Sequence, residues 1–477
     1  MPTLGAWITV AAYAQDAATF VPRDTSIVDR GVSLVGIVAL LGLCWLSSEN
    51  RAAVKWRPVA WGMALQLLIA LVILSPTLSG WFYAGVNAGM GKLLGFTAEG
   101  ASFVFGSIEP HEAVVGSPAA IVAGQGEHKL ILGAVSPGVK TFAFWILPTI
   151  VFFSTLTNVL YHIGVMTLVV RGIAWVMVRT LGTSGAESLC AAANIFLGQT
   201  EAPLLIRPFV PTMTRSELAA VMVAGFATAA GGVMGAYVGF LSGVPNIAGH
   251  LVITSIMGAP AALVCAKLIV PETAKSETAG DVDIRFQNTA SNVVEAAAAG
   301  AADGVRLAIN VAGMLIAFVA LVAMVNWAIS FVPLTRCADG WTGGYACAVG
   351  EAHALGLSDI LAVLFAPLAL AMGIPMSESL TVGQLLGDKM VLTEFIAFIH
   401  LGDMVHGATP VLSERSVIIA SYALCGFANF ASIGIQLGGI GGLAPARMSE
   451  FASLGFRAMW AATLASCLRG AIAGLFL

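Results

Sequence analysis

Two acids stand where the surrounding sequence is almost wholly apolar, and each brings hydrogen-bonding neighbours. Glu201 sits in Gly198-Gln199-Thr200-Glu201-Ala202-Pro203, and Glu394 follows Thr393 ahead of Phe395-Ile396-Ala397. A third polar cluster, Gly426-Phe427-Ala428-Asn429-Phe430-Ala431-Ser432, interrupts a later apolar run. A carboxylate near the bilayer centre costs roughly 2.5–3.5 kcal/mol on insertion scales, so an acid there marks a functional site by default. With amides and hydroxyls beside it, the chemistry is that of a small polar ligand held at membrane depth. Asn429 and Ser432, three apart, share one face of a helix. Such residues also hold transmembrane helices together. Phe427 beside them, and the nearby Glu394 segment, favour a ligand that is part planar and part polyol.

Other polar residues read differently. Glu378 serves equally as a ligand acid or as a carboxylate stabilising its own helix N-terminus. Asp388 with Lys389, and Glu414 with Arg415, read as structural charges at the ends of spans. His111-Glu112 lacks the second histidine of a zinc-protease helix, and His400 and His406 could shuttle protons but read rather as residues near an interface. The glycine run 438–442 follows no strand, so it has no context as a nucleotide loop. No CxxC is present, hence no zinc or redox reading. Cys44, Cys190, Cys265, Cys425 and Cys467 lie in apolar segments and pack. Cys337 and Cys347 share a polar loop and would be able to pair in an oxidising compartment.

These residues must be positioned by membrane helices. Of 477 residues, 58% are hydrophobic and only 10% charged, where a soluble chain carries about 25% charged residues. Apolar stretches of spanning length recur from Gly31 onward, which predicts an all-α polytopic membrane protein and excludes a β-barrel. The net charge of -4 contains no basic run, so no nucleic-acid partner is expected. Met1 to Pro22 lacks the basic start of a signal peptide. Spans are expected at Gly31–Ser48 and Pro58–Leu78, with a weaker apolar segment at Trp81–Phe105. Arg51, Lys55 and Arg57 place the first loop in the cytoplasm and the N-terminus outside. Phe142–Ile163 runs inward, and Val165–Leu181, with Arg171 and Arg179, lies in the interface.

Ser188–Pro211 and Ile360–Leu385 are the anomalies. Each is apolar at its ends and broken within, the first at Gly198–Pro203 and the second at Gly373-Ile374-Pro375. Non-helical backbone at depth is tolerated where it lines a cavity, so both predict re-entrant hairpins. They enter from opposite faces, which points to an inverted-repeat transporter with a midplane site. Leu218–Leu241, Ile247–Val270, Val305–Val332, Val391–Val405, Ser416–Leu443 and Phe451–Leu477 complete the spans. The repeat is not visible as residue-by-residue identity: Gly225-Phe226-Ala227-Thr228 echoes Gly426-Phe427-Ala428-Asn429, but four residues in so biased a composition do not establish it.

The three motifs, with Phe142-Ala143-Phe144, Leu147-Pro148 and Leu443-Ala444-Pro445, resemble signatures of the concentrative nucleoside transporter family from Phe103 onward. The resemblance implies about eight transmembrane helices plus interfacial helices, two opposed hairpins and a homotrimer in the plasma membrane (the inner membrane if bacterial), embedded in the lipid bilayer. It implies cation-coupled nucleoside import by an elevator-like movement, with no enzymatic activity and no cofactor. Gln199, Thr200, Glu201 and Val233 would face the nucleobase; Glu394, Asn429 and Ser432 would hold the ribose; Phe427 would line the pocket. Sodium would be held by Asn194 and Thr228 with backbone oxygens of Leu197, Thr228 and Ala229, although protons drive some relatives. Thr393 stands where the family usually has Asn, and Ala431 where it often has Ser.

The implied organisation is an extracytoplasmic segment at 1–30, scaffold helices with a polar insert at 31–163, and the first transport half at 164–270. A cytoplasmic linker follows at 271–304, a scaffold span and outer loop at 305–358, and the second transport half at 359–477. A cation/proton antiporter would also need buried acids but has no use for the Gln199, Phe427 and Asn429 set. A membrane enzyme pairing Glu201 with Glu394 would need a nucleophile or metal set that the sequence lacks.

Overall fold

Backbone groups inside a bilayer must be satisfied within the chain, and the apolar body of this protein is helical. The computed structural model describes residues 18–23, 25–74, 80–105, 111–115, 128–132, 142–278, 290–332, 334–337, 340–343, 353–407 and 410–477. Two short antiparallel strands, His111–Val115 and His128–Leu132, lie in the first polar insert, and a small three-stranded sheet lies within 334–354. Elsewhere the described secondary structure is helical, as expected.

Helix α1 (Ile27–Leu46) opens on a reciprocal cap between Ser26 and Asp29. Next come α2 (Trp56–Leu74) and α3 (Gly80–Phe105). The weaker segment Trp81–Phe105 is thus a helix, but not one of the six described helices long and apolar enough to cross a membrane. Helix α4 (Leu147–His162) is the next α-helix along the described chain. At Gly164 (φ 87°) the chain bends 79° into α5 (Val165–Leu181). Its buried residues Met166, Val170, Ala174, Met177 and Leu181 form one stripe, with Arg171 and Arg179 exposed opposite, the pattern of an interfacial helix.

The first hairpin comprises α6 (Gly185–Ala193), an irregular tip, and a 3-10 turn at Ala202–Ile206. The second comprises α11 (Leu357–Ala371) and α12 (Met376–Val391), bent by 117° about Gly373, whose φ of 85° only glycine adopts readily. Two spans are broken. One is α7 (Arg215–Ala227) followed by α8 (Gly231–Phe240). The other, expected as one run over Ser416–Leu443, is α14 (Glu414–Leu424) followed by α15 (Phe430–Gly439). The remaining helices are α9 (Ile247–Ile269), α10 (Val293–Ile329), α13 (Glu394–His406) and α16 (Met448–Phe476). Helix α10 starts at Val293, ahead of the expected Val305. Asp303 and Arg306 interrupt the apolar run but, being exposed, do not interrupt the helix.

The core is built on α16 and α9. The first packs on α1, α7, α9 and α14; the second also packs on α2 and α7. Helix α10 packs on α4 instead. Within 31–163, expected as scaffold, α1 and α2 pack on α16 and α9, and α4 packs on both α10 and α8.

Asp388 and Lys389 also depart from expectation. They are not loop charges but lie buried in the last turn of α12. Asp388 pairs with His400 at 2.9 Å, and Lys389 Nζ donates to the Ala423 carbonyl at 2.8 Å. Arg415 is structural, as expected, donating to the Gly373 and Gly474 carbonyls and so pinning the turn of the second hairpin. The five membrane cysteines are buried thiols. Cys347 and residues 1–17 lie outside the described residues, so the Cys337 pairing and the reading of the N-terminal stretch have no structural description.

Candidate functional site

The tip of the first hairpin is short of regular hydrogen bonds, so its side chains satisfy it. Glu201 accepts the Gly198 N–H at 3.2 Å, folding the tip on itself. Gln199 reaches across to the second half of the molecule, where its Nε2 donates to Ser432 Oγ at 3.1 Å. Its carbonyl oxygen accepts from Gln436 Nε2 at 3.3 Å, and Gln436 donates also to the Met222 carbonyl in α7 at 3.1 Å.

Glu394 is the first residue of α13, where the helix dipole favours negative charge. Thr393 caps that helix by accepting the Ile396 N–H. Thr is a competent N-cap, so the helix start is intact with Thr at this position. One carboxylate oxygen of Glu394 accepts from Tyr237 at 3.2 Å, the other from Asn429 Nδ2 at 3.0 Å. Asn429 is itself the N-cap of α15, its Oδ1 accepting the Ser432 N–H at 2.8 Å. Asn429 and Ser432 are thus not two positions on one continuous helix face. They are a cap and the turn that it caps, which fixes the amide hydrogens of Asn429 toward Glu394.

Tyr237, Glu394, Asn429, Ser432, Gln199 and Gln436 form one hydrogen-bonded chain crossing α8, α13, α15 and the first hairpin. It borders a cavity of about 100 Å3. Gln199, Thr200, Glu201, Val233, Glu394, Phe427, Asn429 and Ser432 all line it, and Leu307, Val311 and Met314 of α10 close one side. Through Glu201, Ala230 and Leu307 it adjoins a second cavity of about 990 Å3 lined by Asn158, Arg171, Arg207 and Asp303 among others. Glu378 lies elsewhere. It accepts from Ser413 at 3.0 Å and ties the second hairpin to α14, which favours its structural reading.

The ion set expected from the resemblance is divided between the first hairpin, which carries Asn194 and Leu197, and the other break, which carries Thr228 and Ala229. Asn194 caps the C-terminus of α6 and Thr228 that of α7. The Gly231 N–H donates to the Phe196 carbonyl at 3.0 Å, holding the hairpin tip against the break. Asn194 is fully buried, yet its Oδ1 has no hydrogen-bond partner. An orphaned buried acceptor costs about 1–3 kcal/mol unless something fills its need. Amide, hydroxyl and carbonyl oxygens suit a hard cation. Thr228 Oγ1 donates to the Ala224 carbonyl at 2.8 Å, which aims its lone pairs away from that helix. Leu197 and Ala229 flank these two residues in the tip and the break.

Tyr237, Gln436 and Arg469 were not singled out by the sequence. Single polar residues in apolar helices carry no local pattern, although an arginine inside Phe451–Leu477 was a signal that an intramembrane charge should raise.

Three family models match the chain, two of them the parts of one family. The part described as Na+ dependent nucleoside transporter N-terminus matches residues 35–108. Nucleoside recognition matches 143–244, and Na+ dependent nucleoside transporter C-terminus matches 250–474. The chain is 39% identical over 445 residues to the uncharacterised transporter YutK of Bacillus subtilis, covering 93% of this chain and 98% of that protein. It is 38% identical over 456 residues to mouse solute carrier family 28 member 3, covering 93% of this chain but 58% of the mouse protein. It therefore spans little more than half the length of that mammalian relative. Among solved structures, CNTnw in an inward-facing substrate-bound state superposes with a TM-score of 0.77 at 38% identity, covering 93% of this chain and 98% of that one. CNTnw in an outward-facing state gives 0.78 at 38% identity, covering 94% and 98%. The chain belongs to the family of Na+-dependent, concentrative nucleoside transporters.

Proposed function

We propose that this multi-pass plasma-membrane protein imports nucleosides by symport with sodium, and that the cavity between the first hairpin, α13 and α15 is the nucleoside site. The observation that carries the assignment is the single hydrogen-bonded chain from Tyr237 to Gln436, which offers acceptors and donors on one side of the cavity. Glu394, Asn429 and Ser432 take the ribose hydroxyls. Gln199, Thr200, Glu201 and Val233 face the base, and Phe427 lines the pocket. A carboxylate accepts two hydroxyl hydrogens, and a charged hydrogen bond is worth roughly 1.5–3 kcal/mol.

Sodium, the co-substrate, binds Asn194 and Thr228 with the backbone oxygens of Leu197, Thr228 and Ala229. One positive charge moving inward gains about 2.3 kcal/mol per 100 mV, enough for roughly 40-fold accumulation at 1.4 kcal/mol per tenfold. The wider adjoining cavity is the release route toward the cytoplasm. The helices carrying the site move as an elevator against α4 and α10, and three copies form the working assembly.

The test is uptake of labelled uridine and adenosine into proteoliposomes, with an inward sodium gradient and with choline in its place. Sodium-dependent accumulation lost in Glu394→Gln is the expected result. Uptake that is equal in choline and collapses with a proton gradient moves the coupling to protons. Ion flux without uptake of either nucleoside overturns the assignment in favour of an antiporter.

A further inference from the structure

Arg469 is fully buried in the C-terminal third of α16, and its hydrogen-bond partners among the described residues include no carboxylate. A buried guanidinium without an acid is costly, so its partners must be unusual. They are backbone carbonyls: Nη1 donates to the Thr254 oxygen at 2.6 Å, and Nη2 donates to those of Ala227 and Cys425, each at 2.7 Å. Ala227 ends α7 and Cys425 caps the end of α14. Each helix C-terminus carries about half a negative charge, so two of them meeting in the membrane interior repel unless a cation lies between. They do meet. A Cβ on Gly426 would lie 2.8 Å from the Ala227 oxygen, and the residue holds a φ of 144°, so only glycine lets the two breaks approach this closely. Gly258 gives the same access to Arg469, since a Cβ there would lie 3.2 Å from Nη1. Ser466 Oγ accepts from both Arg469 Nη2 (3.1 Å) and Lys389 Nζ (3.2 Å), and Lys389 holds the Ala423 carbonyl in the same helix end.

We infer that Arg469 is the positioning residue that couples sodium binding to nucleoside binding, by fixing the end of α7 to the end of α14. The inference rests on the site assignment made above. Thr228 and Ala229, which hold the ion, directly follow Ala227; Phe427 and Asn429, which meet the nucleoside, follow Cys425 by two and four residues. A planar guanidinium holds both carbonyls in one rigid fork, so an ordering of one break by the ion is imposed on the other. Lysine, with a point charge on a flexible stem, keeps the charge and loses the fork. A side chain that merely stabilised the fold would weaken nucleoside binding equally with and without sodium.

The experiment measures uridine affinity by calorimetry on the full-length protein, in saturating sodium and in choline, for wild type, Arg469→Lys and Ser466→Ala. For Arg469→Lys, the gain in affinity brought by sodium should shrink by about tenfold, well inside the usual range of coupling between sites, with affinity in choline changed less than about twofold. Ser466→Ala, which removes only a hydroxyl from the fork, should shift the ratio the same way by a smaller factor. It decides the matter alone if the lysine variant does not fold. A wild-type sodium ratio in both variants overturns the inference, and so does an equal loss in both media. Wild-type protein that binds no uridine in either medium overturns the nucleoside assignment itself, before any variant is considered.

Discussion

The two broken spans are built on the same plan and finished differently. The first break, between α7 and α8, has no side-chain cap on the helix that follows: Ala230 occupies that position. The second, between α14 and α15, is capped by Asn429, whose Oδ1 takes a backbone N–H and whose amide hydrogens are left for Glu394. The first break has no polar side chain at its helix start, and the hairpin tip held against it carries the unpartnered Asn194 Oδ1, whereas the second break presents ordered side chains. The hairpins differ in the same sense. The first ends in an irregular tip with Gln199, Thr200 and Glu201, and the second turns tightly at Gly373 between two longer helices. From one repeated architecture, a hard-oxygen nest suits an ion and a capped helix start suits a polyol. Division of labour follows from which residue stands at a single cap.

The comparison breaks most completely at Glu394. Glu394→Gln should lower uridine affinity by about 100-fold on the proposed assignment, since it replaces one of two acceptor oxygens by a donor, removes the charge, and sets an amide against the Tyr237 hydroxyl or the Asn429 amide. Calorimetry in saturating sodium reads this. The comparison sharpens with the substrate: 2′- or 3′-deoxyuridine should bind about tenfold more weakly than uridine to wild type, and with much less penalty to Glu394→Gln. Equal penalties in both proteins would remove the carboxylate from the ribose. Tyr237→Phe leaves the cavity shape and deletes one donor to Glu394, so a loss of about fivefold in affinity is expected.

The smallest effect lies far from the site, at the loop between α1 and α2. Hydrogen bonding from Arg215 holds the Glu49 carboxyl below its ordinary 4.5, with Arg457 adding a weaker attraction. A lowered carboxyl pKa stabilises the folded state above the unfolded value, and that contribution is lost as pH falls through the folded value. For a partly exposed pair it is worth about 0.2–1 kcal/mol. Glu49→Gln should therefore lower thermal stability slightly at pH 7 and not at all at pH 3, with uridine affinity unchanged.

Much of this was legible in the chain. The hairpins announce themselves because Gly, Pro and acids are costly inside an apolar run, and Glu201 and Glu394 stand out for the same reason. The positions of the caps were not legible. The echo between Gly225–Thr228 and Gly426–Asn429 sets Thr228 against Asn429, whereas the structure makes Thr228 the end of one helix and Asn429 the start of another. A break of a few residues erases the register that sequence comparison relies on. Asp388 and Lys389 read as a charge pair at a span end because their partners, His400 and the Ala423 carbonyl, are supplied by helices that only tertiary folding brings near. Tyr237 and Gln436 were silent for the same reason. A lone polar residue in an apolar helix tells nothing until its partner is known.

The measurement that tests the division most directly is a sodium titration of uridine uptake by Thr228→Ala and Asn429→Ser. Serine is a competent cap and keeps α15 in place while removing the amide that meets Glu394. Thr228→Ala should raise the half-saturating sodium concentration about tenfold, with the uridine KM returning to the wild-type value once sodium saturates. Asn429→Ser should raise the uridine KM at every sodium concentration, with half-saturating sodium unchanged at saturating uridine. If the two variants shift both quantities alike, or Asn429→Ser moves the sodium requirement while Thr228→Ala does not, the breaks do not divide ion from nucleoside in this way.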